Sequence, residues 1–342
     1  MPERGTTIYM EPTNILKADA VFEGGGVKGS GLLGAVVVTE RMGYTFENLA
    51  GTSAGAIIAA LLAAGYSAIE AKTIIDEIDY TQLMDKKFPG TVPLVGPLLS
   101  IVFKKGMYEG DFFLNSMREL LGKKHVYTFK DLIREKYKDD LRYRYKLQVV
   151  VSDVTGGRML ILPGDIKKFD IEPDDLEVAL AIRMSMSIPY FYQPVKCRTK
   201  TGDVSYLVDG GILSNFPVEI FDDQFSDEPP WPVFGYKLVD PEEGKPHAIT
   251  GPLTLFSALF STMMEAHDAR YIQDADFLRT IPIKTLGIRT TDFGISREQK
   301  EALYESGVAG AEEFFKHWNF EQFKAEVKIR AAQHRHKQLW TE

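Results

Sequence analysis

The chain has 342 residues, 44% of them apolar and 26% charged, and a formal net charge of −8. This composition excludes a disordered or collagen-like chain, and the acidic balance argues against nucleic acid as the main partner, because phosphate binding needs a basic face. The single cysteine, Cys197, excludes an intrachain disulfide and an all-cysteine metal site, and it suits a reducing compartment such as the cytoplasm.

The amino terminus mixes charges without an apolar core and does not read as a signal peptide. The most apolar stretches, Ala54–Gly65 and Pro89–Phe103, are shorter than the roughly 20 residues that a spanning helix needs, so no transmembrane helix is expected. In chain order, Ala18–Phe22 reads as a buried strand running into the glycines at 24–26. A helix follows over Gly31–Arg41, with Leu32, Leu33, Val36 and Val37 at helical spacing. A second strand, Phe46–Ala50, breaks at Gly51-Thr52-Ser53-Ala54-Gly55, and Ala56–Ala64 is an apolar helix of small residues, a pattern buried on several sides.

Residues 66–130 break the rhythm and read as a cap-like insertion: a helix over Ser67–Tyr80, the Pro/Gly-rich apolar segment, and a helix near Asp111–Leu121. Strands follow at Leu147–Ser152 and Arg158–Leu162, then a helix over Glu177–Met186 that stops at Pro189. Tyr206–Val208 is a strand ending at Asp209-Gly210-Gly211. Val233–Val239 is another, and long helices are expected over Leu253–Tyr271 and Arg297–Trp318. Strands separated by helices give a mostly parallel sheet covered on both faces, a three-layer α/β/α architecture. Sites in such folds form at the carboxyl ends of the strands. The expected boundaries are a catalytic domain over 15–320 and a basic helix or tail over 321–342.

Three glycine-marked turns fall at strand ends. Gly51-x-Ser53-x-Gly55, between a strand and a helix, is the pattern of a nucleophile held on a sharp turn, with glycines where side chains would collide. The second turn, Gly24-Gly25-Gly26-Val27-Lys28-Gly29, contains a formal G-x-G-x-x-G. A dinucleotide reading would place an acid near Glu47, but that strand runs straight into the serine turn. A Walker A loop is excluded by residue order. The alternative is a backbone N–H cradle for an oxyanion, with Lys28 adding positive potential. At the third turn Asp209 either takes a proton from Ser53 as general base or caps its own backbone in an Asx-turn. Of the six histidines only His247 follows the acid in a loop, the place a triad would need it.

Taken together, EGGGVKGSG, GTSAG and DGGILSNFP resemble the patatin-like phospholipase family. The resemblance runs from about Ala18 to Phe216 by motif and loosely to the helix near Leu303–Phe315. It implies a Ser–Asp dyad without a catalytic histidine: Ser53 as nucleophile and Asp209 as base. Gly24, Gly25, Gly26, Lys28 and Gly29 would form the oxyanion loop, with Gly51, Gly55, Arg183, Gly210 and Gly211 supporting the site. Glu23 stands where the family often has aspartate. Arg183–Pro189 is similar to the family's segment before the aspartate loop, and Asp153 and Thr155 to a strand-end segment bracing the pocket. The implied reaction is hydrolysis of fatty acyl esters, of the phospholipase A or lysophospholipase type, with no metal or organic cofactor. An acyltransferase or thioesterase with the same acyl-serine, and a nucleotide-binding module using Gly24–Gly29, remain as alternatives. The expected partners are a phospholipid or lysophospholipid substrate and no nucleic acid. Pro89–Phe103, flanked by Lys86, Lys87, Lys104 and Lys105, reads equally as a segment touching an anionic membrane surface or as buried core. The tail, with Lys324 and Lys328 beside Phe320 and Phe323, reads as a helix packed by its apolar face.

Overall fold

The structure is a computed structural model. It describes residues 16–78, 105–140, 143–222, 229–240, 249–251, 274–290 and 292–338, with isolated positions between 255 and 263 and side chains as far as 329. Pro89–Phe103, His247 and most of the helix expected over Leu253–Tyr271 lie outside the described residues. The strands are β1 (Leu16–Phe22), β2 (Tyr44–Thr52), β3 (Gly106–Tyr108), β4 (Leu147–Asp153), β5 (Arg158–Leu162), β6 (Tyr190–Tyr192), β7 (Val195–Arg198), β8 (Val204–Asp209), β9 (Val233–Val239) and β10 (Thr280–Lys284). The main sheet runs β10-β9-β1-β2-β4-β8-β7, with β5 also on β4, and β3 pairs with β6 in a small second sheet. From β10 to β4 all neighbours are parallel, while β5, β7 and β8 join antiparallel.

The register of β4 positions the site. Val149 and Val150 pair with both β2 and β5, and Val151–Asp153 with both β5 and β8. A strand has only two edges, so β2 and β8 lie end to end along one edge of β4. Thr52 pairs with Val150 and Asp209 with Val151. The residue after Thr52 is thereby brought beside Asp209, from 156 positions away in sequence.

Helices flank the sheet. The principal ones are α1 (Gly29–Arg41), α2 (Ala54–Ala63), α3 (Ala68–Glu77), α4 (Asp111–Gly122), α5 (Val178–Ser185), α6 (Arg297–His317) and α7 (Phe320–Gln338). Strand alternation divides the core. Ala18, Ala20 and Phe22 of β1 join the main cluster under the helices, and Val21 joins a smaller cluster with Ala50, Val233 and Phe221 on the other face. Every residue of α2 is buried, as its small apolar composition requires. Helix α3 starts at Ser67, which forms a capping box with Glu70. Its far end is held from α6: the buried Lys300 Nζ donates to the carbonyls of Ile75, Asp76 and Ile78 at 3.1, 2.9 and 3.0 Å, satisfying acceptors that a helix end leaves open.

α1 and α6 touch backbone to backbone. A Cβ on Gly34 would sit 2.0 Å from the Tyr304 carbonyl, and one on Gly307 would sit 1.9 Å from that of Gly31. Gly307→Leu is expected to destabilise the protein by about 3 kcal/mol, because the helices must separate to admit the side chain. Urea unfolding of the variant measures this.

Four short strands, β3, β6, β7 and β10, go beyond the sequence reading. β3 and β6 are three residues each, too short to show alternation. β10 carries Pro282, which removes a ladder donor and suits only an edge strand, the place it occupies.

Candidate active site

Ser53 sits between β2 and α2 with φ +53° and ψ −124°, a conformation that a residue with a side chain rarely adopts. The turn is enforced by close packing. A Cβ on Gly51 would meet the Gly55 backbone at 2.4 Å, and one on Gly55 would meet the Phe22 carbonyl at 2.4 Å. Gly210 is similarly pressed on the Val150 carbonyl at 2.4 Å. The elbow directs Ser53 Oγ to Asp209 Oδ2 at 2.7 Å, with Met186 Sδ at 3.4 Å. The positive end of α2 lies beside the serine.

The two readings of Asp209 hold at once, one for each oxygen. Oδ1 accepts from Gly211 N–H at 2.9 Å, as in an Asx-turn, and Oδ2 accepts from Ser53. The side chain is fully buried. Burial pushes its carboxyl up to about 7, against the lowering effect of the bonds from Ser53 and Gly211. An aspartate raised this far is a competent proton acceptor near neutrality.

The glycine loop faces the serine, and its members divide the work. Gly24, expected in the oxyanion loop, has its N–H bonded to the Asn215 carbonyl at 3.2 Å. Gly24 contributes closeness: a Cβ there would lie 3.2 Å from Ser53 Cβ and 2.3 Å from Asn215 Oδ1. Gly25 and Gly26 N–H have no partner among the described residues, which leaves two donors on the loop. Gly26 needs its glycine, because it has φ +55° and abuts the Thr290 carbonyl. Lys28 is largely buried, with its stem against Gly25, and Gly29 is the first residue of α1. Glu23 anchors the loop, accepting from Asn215 Nδ2 and Lys237 Nζ, each at 3.2 Å, and from Leu238 N–H.

Arg183 is buried below the site. It donates to Ser187 Oγ and to the carbonyls of Glu109 and Gln193, tying α5 and the following turn to β3. Ser185 escaped the sequence reading as an individual residue. Its Oγ accepts Ser53 N–H at 2.8 Å and donates to the Val150 carbonyl at 2.7 Å, holding the elbow to β4. Ser185→Ala would leave both buried backbone groups unpaired. The variant is expected to lose about 1–3 kcal/mol of stability and roughly tenfold in turnover, measured by unfolding and by initial rates. Asp153 and Thr155 brace the β4–β5 turn and β8: Asp153 accepts from Thr155 and Gly156 N–H, and Thr155 Oγ1 accepts from Tyr206 N–H. His125 and His317, whose side chains are described, are exposed, and neither touches Ser53 or Asp209. Among the described residues no group of three His, Cys, Asp or Glu side chains could hold a metal ion. Burial pushes the Cys197 thiol up to about 11, which leaves it unreactive.

An apolar cavity lies beside the serine, reached through Ala54 and through Met186, whose Sδ is 3.4 Å from Ser53 Oγ. Gly26, Gly29, Ala54 and Met186 line it near the reacting atom, and Ile57, Ile75, Ile78, Phe113, Ile188, Tyr192 and Phe293 complete it. A buried serine bonded to a buried carboxylate, two loop N–H groups without a partner among the described residues, and an apolar cavity thus lie together at these turns.

Comparison with known proteins agrees with this architecture. Residues 20–222 match the family model described as patatin-like phospholipase. The protein YqhO of Bacillus subtilis (strain 168) is 40% identical over 303 residues, covering 88% of this chain and 99% of that one. "Probable lipid hydrolase 463L" of Invertebrate iridescent virus 6 is 27% identical over 206 residues, covering 58% of this chain and 61% of that one. Among solved structures, VipD from Legionella pneumophila superposes with a TM-score of 0.52 at 18% identity, over 87% of this chain and 66% of that one, a likeness of fold. The chain belongs to the patatin-like phospholipase family.

Proposed function

We propose that the protein is a serine lipid acyl hydrolase of the phospholipase A or lysophospholipase type, working through Ser53 and Asp209. The observation that carries this reading is the 2.7 Å bond from Ser53 Oγ to a fully buried carboxylate, next to an apolar cavity lined by Ala54 and Met186. Ser53 Oγ attacks the acyl carbonyl as its proton passes to Asp209 Oδ2. The N–H groups of Gly25 and Gly26 receive the oxyanion. Collapse of the tetrahedral species expels the alcohol, to which Asp209 returns the proton. Water then attacks the acyl-serine, Asp209 takes its proton, and the fatty acid leaves as that proton restores Ser53. The cavity takes the acyl chain, since apolar walls cannot pair a polar head group.

The dinucleotide alternative finds no support in the geometry. Val27 N–H is spent on Thr290, Gly24 N–H on Asn215, and Glu47 of β2 pairs with Lys17 of β1 and with Arg134. Among the described residues no helix is long and apolar enough to cross a membrane. Lys105 and Lys196 lie 4.8 and 5.8 Å from the Tyr206 ring centre, and the exposed Tyr190 pairs with Gly106. Such a basic, aromatic surface suits peripheral contact with anionic lipid. Release of fatty acid from lysophosphatidylcholine and from phospholipid vesicles, by wild type and not by Ser53→Ala, tests the reading. Transfer of the acyl group to added methanol without release of free acid would favour the acyltransferase alternative.

A further inference from the structure

Phe293 belongs to the candidate site but lies outside the residues that match the family, 20–222. Its immediate neighbours Asp292 and Gly294 are exposed, whereas its own ring is half-buried and lines the apolar cavity. The ring therefore stands between solvent and the cavity. It is held on two sides. It stacks on Phe191 of β6, with ring centres 4.7 Å apart and planes 19° from parallel. It also packs against the cluster of Val27, Ile288 and Leu303. The backbone before it is seated on the glycine loop: the Thr290 carbonyl accepts Val27 N–H at 3.3 Å and fills the space beside Gly26. A C-terminal segment thus closes the cavity with an aromatic wall, fixed to the loop assigned to the oxyanion.

We propose that Phe293 is the specificity-determining residue of the acyl site, setting how long an acyl chain the cavity accepts. The inference rests on the acyl-hydrolase reading above. A ring fixed by stacking presents a hard stop to a chain growing past it, and removing the ring opens the cavity toward solvent. A longer chain then no longer meets the ring, so the penalty that set it below a shorter one is lifted.

The test measures kcat/KM on p-nitrophenyl butyrate, octanoate, laurate and palmitate for wild type, Phe293→Ala and Phe293→Trp. The laurate-to-butyrate ratio is expected to rise about five- to tenfold in Phe293→Ala and to fall in Phe293→Trp, mainly through KM. Opposite shifts distinguish a wall from mere loosening, and Phe293→Leu replaces the alanine variant if that one fails to fold. Ratios within about twofold of wild type in an active enzyme, or shifts of the same sign in both variants, would overturn the proposal and leave the hydrolase reading intact. If wild type hydrolyses none of the esters and takes up no fluorophosphonate, the hydrolase reading falls and this inference with it.

Discussion

Asp209→Asn is expected to lower turnover by about 10³–10⁴-fold while making the protein more stable above neutral pH. The amide is isosteric: its oxygen can still accept Gly211 N–H and its nitrogen can face Ser53 Oγ, so the turn survives. What disappears is the carboxylate proposed as the proton acceptor. The stability effect follows from the carboxyl's being raised from 3.8 to about 7 by burial. Between those values the folded protein holds the proton and the unfolded chain has released it. Wild-type stability therefore falls as pH rises from about 4 and levels off above about 7, with a limiting loss of roughly 4 kcal/mol. The asparagine variant is spared that loss. Urea unfolding of the pair should give a difference that is negligible near pH 4 and reaches about 2–4 kcal/mol by pH 8. The catalytic limb runs the other way, because the base works only when ionised. Wild-type kcat/KM should rise through about pH 7 to a plateau. A variant that kept its turnover, or a wild-type profile flat down to pH 5, would remove Asp209 as the base.

Ser53→Ala and Ser53→Gly should both lose at least about 10⁴-fold in turnover, since neither has an oxygen to acylate. They should differ in stability. At φ +53° the alanine keeps the strained elbow, whereas glycine adopts it freely. Both lose the bond to Asp209, so the difference between them reports backbone strain set against glycine's freedom in the unfolded chain. Glycine is expected to be the more stable by about 1 kcal/mol, despite its extra freedom in the unfolded chain. An alanine variant more stable than the glycine one by about 1 kcal/mol, the cost of glycine's freedom alone, would mean that the elbow holds no strain at Ser53.

Much of the site is legible in the sequence because its demands are local. Gly51 and Gly55 flank the serine because the turn leaves no room for a Cβ, and that restriction is written as G-x-S-x-G. Asp209-Gly210-Gly211 announces a carboxylate on a tight turn for the same reason. What the sequence conceals is the pairing between distant parts. That β2 and β8 meet end to end on β4, which puts Ser53 against Asp209, is a matter of register. No residue near either motif encodes it. Ser185 was hidden because serine is common and its value lies in bridging Ser53 and Val150. Phe293 reads as an ordinary loop aromatic until Phe191 and Val27 are found on either side of it. The glycine loop shows the limit from the other direction: the motif draws in Gly24, Gly25 and Gly26 alike. Only the fold, which brings the Asn215 carbonyl from the Asp209 loop, sets Gly24 apart by bonding its N–H.

The most direct test of an activated serine at the elbow is intact-mass analysis after treatment with a fluorophosphonate probe, for wild type and Ser53→Ala. One adduct on wild type, mapped to Ser53 and missing from the variant, is the expected result. Absence of an adduct on wild type, with and without anionic vesicles, or an equal adduct on Ser53→Ala, would contradict it.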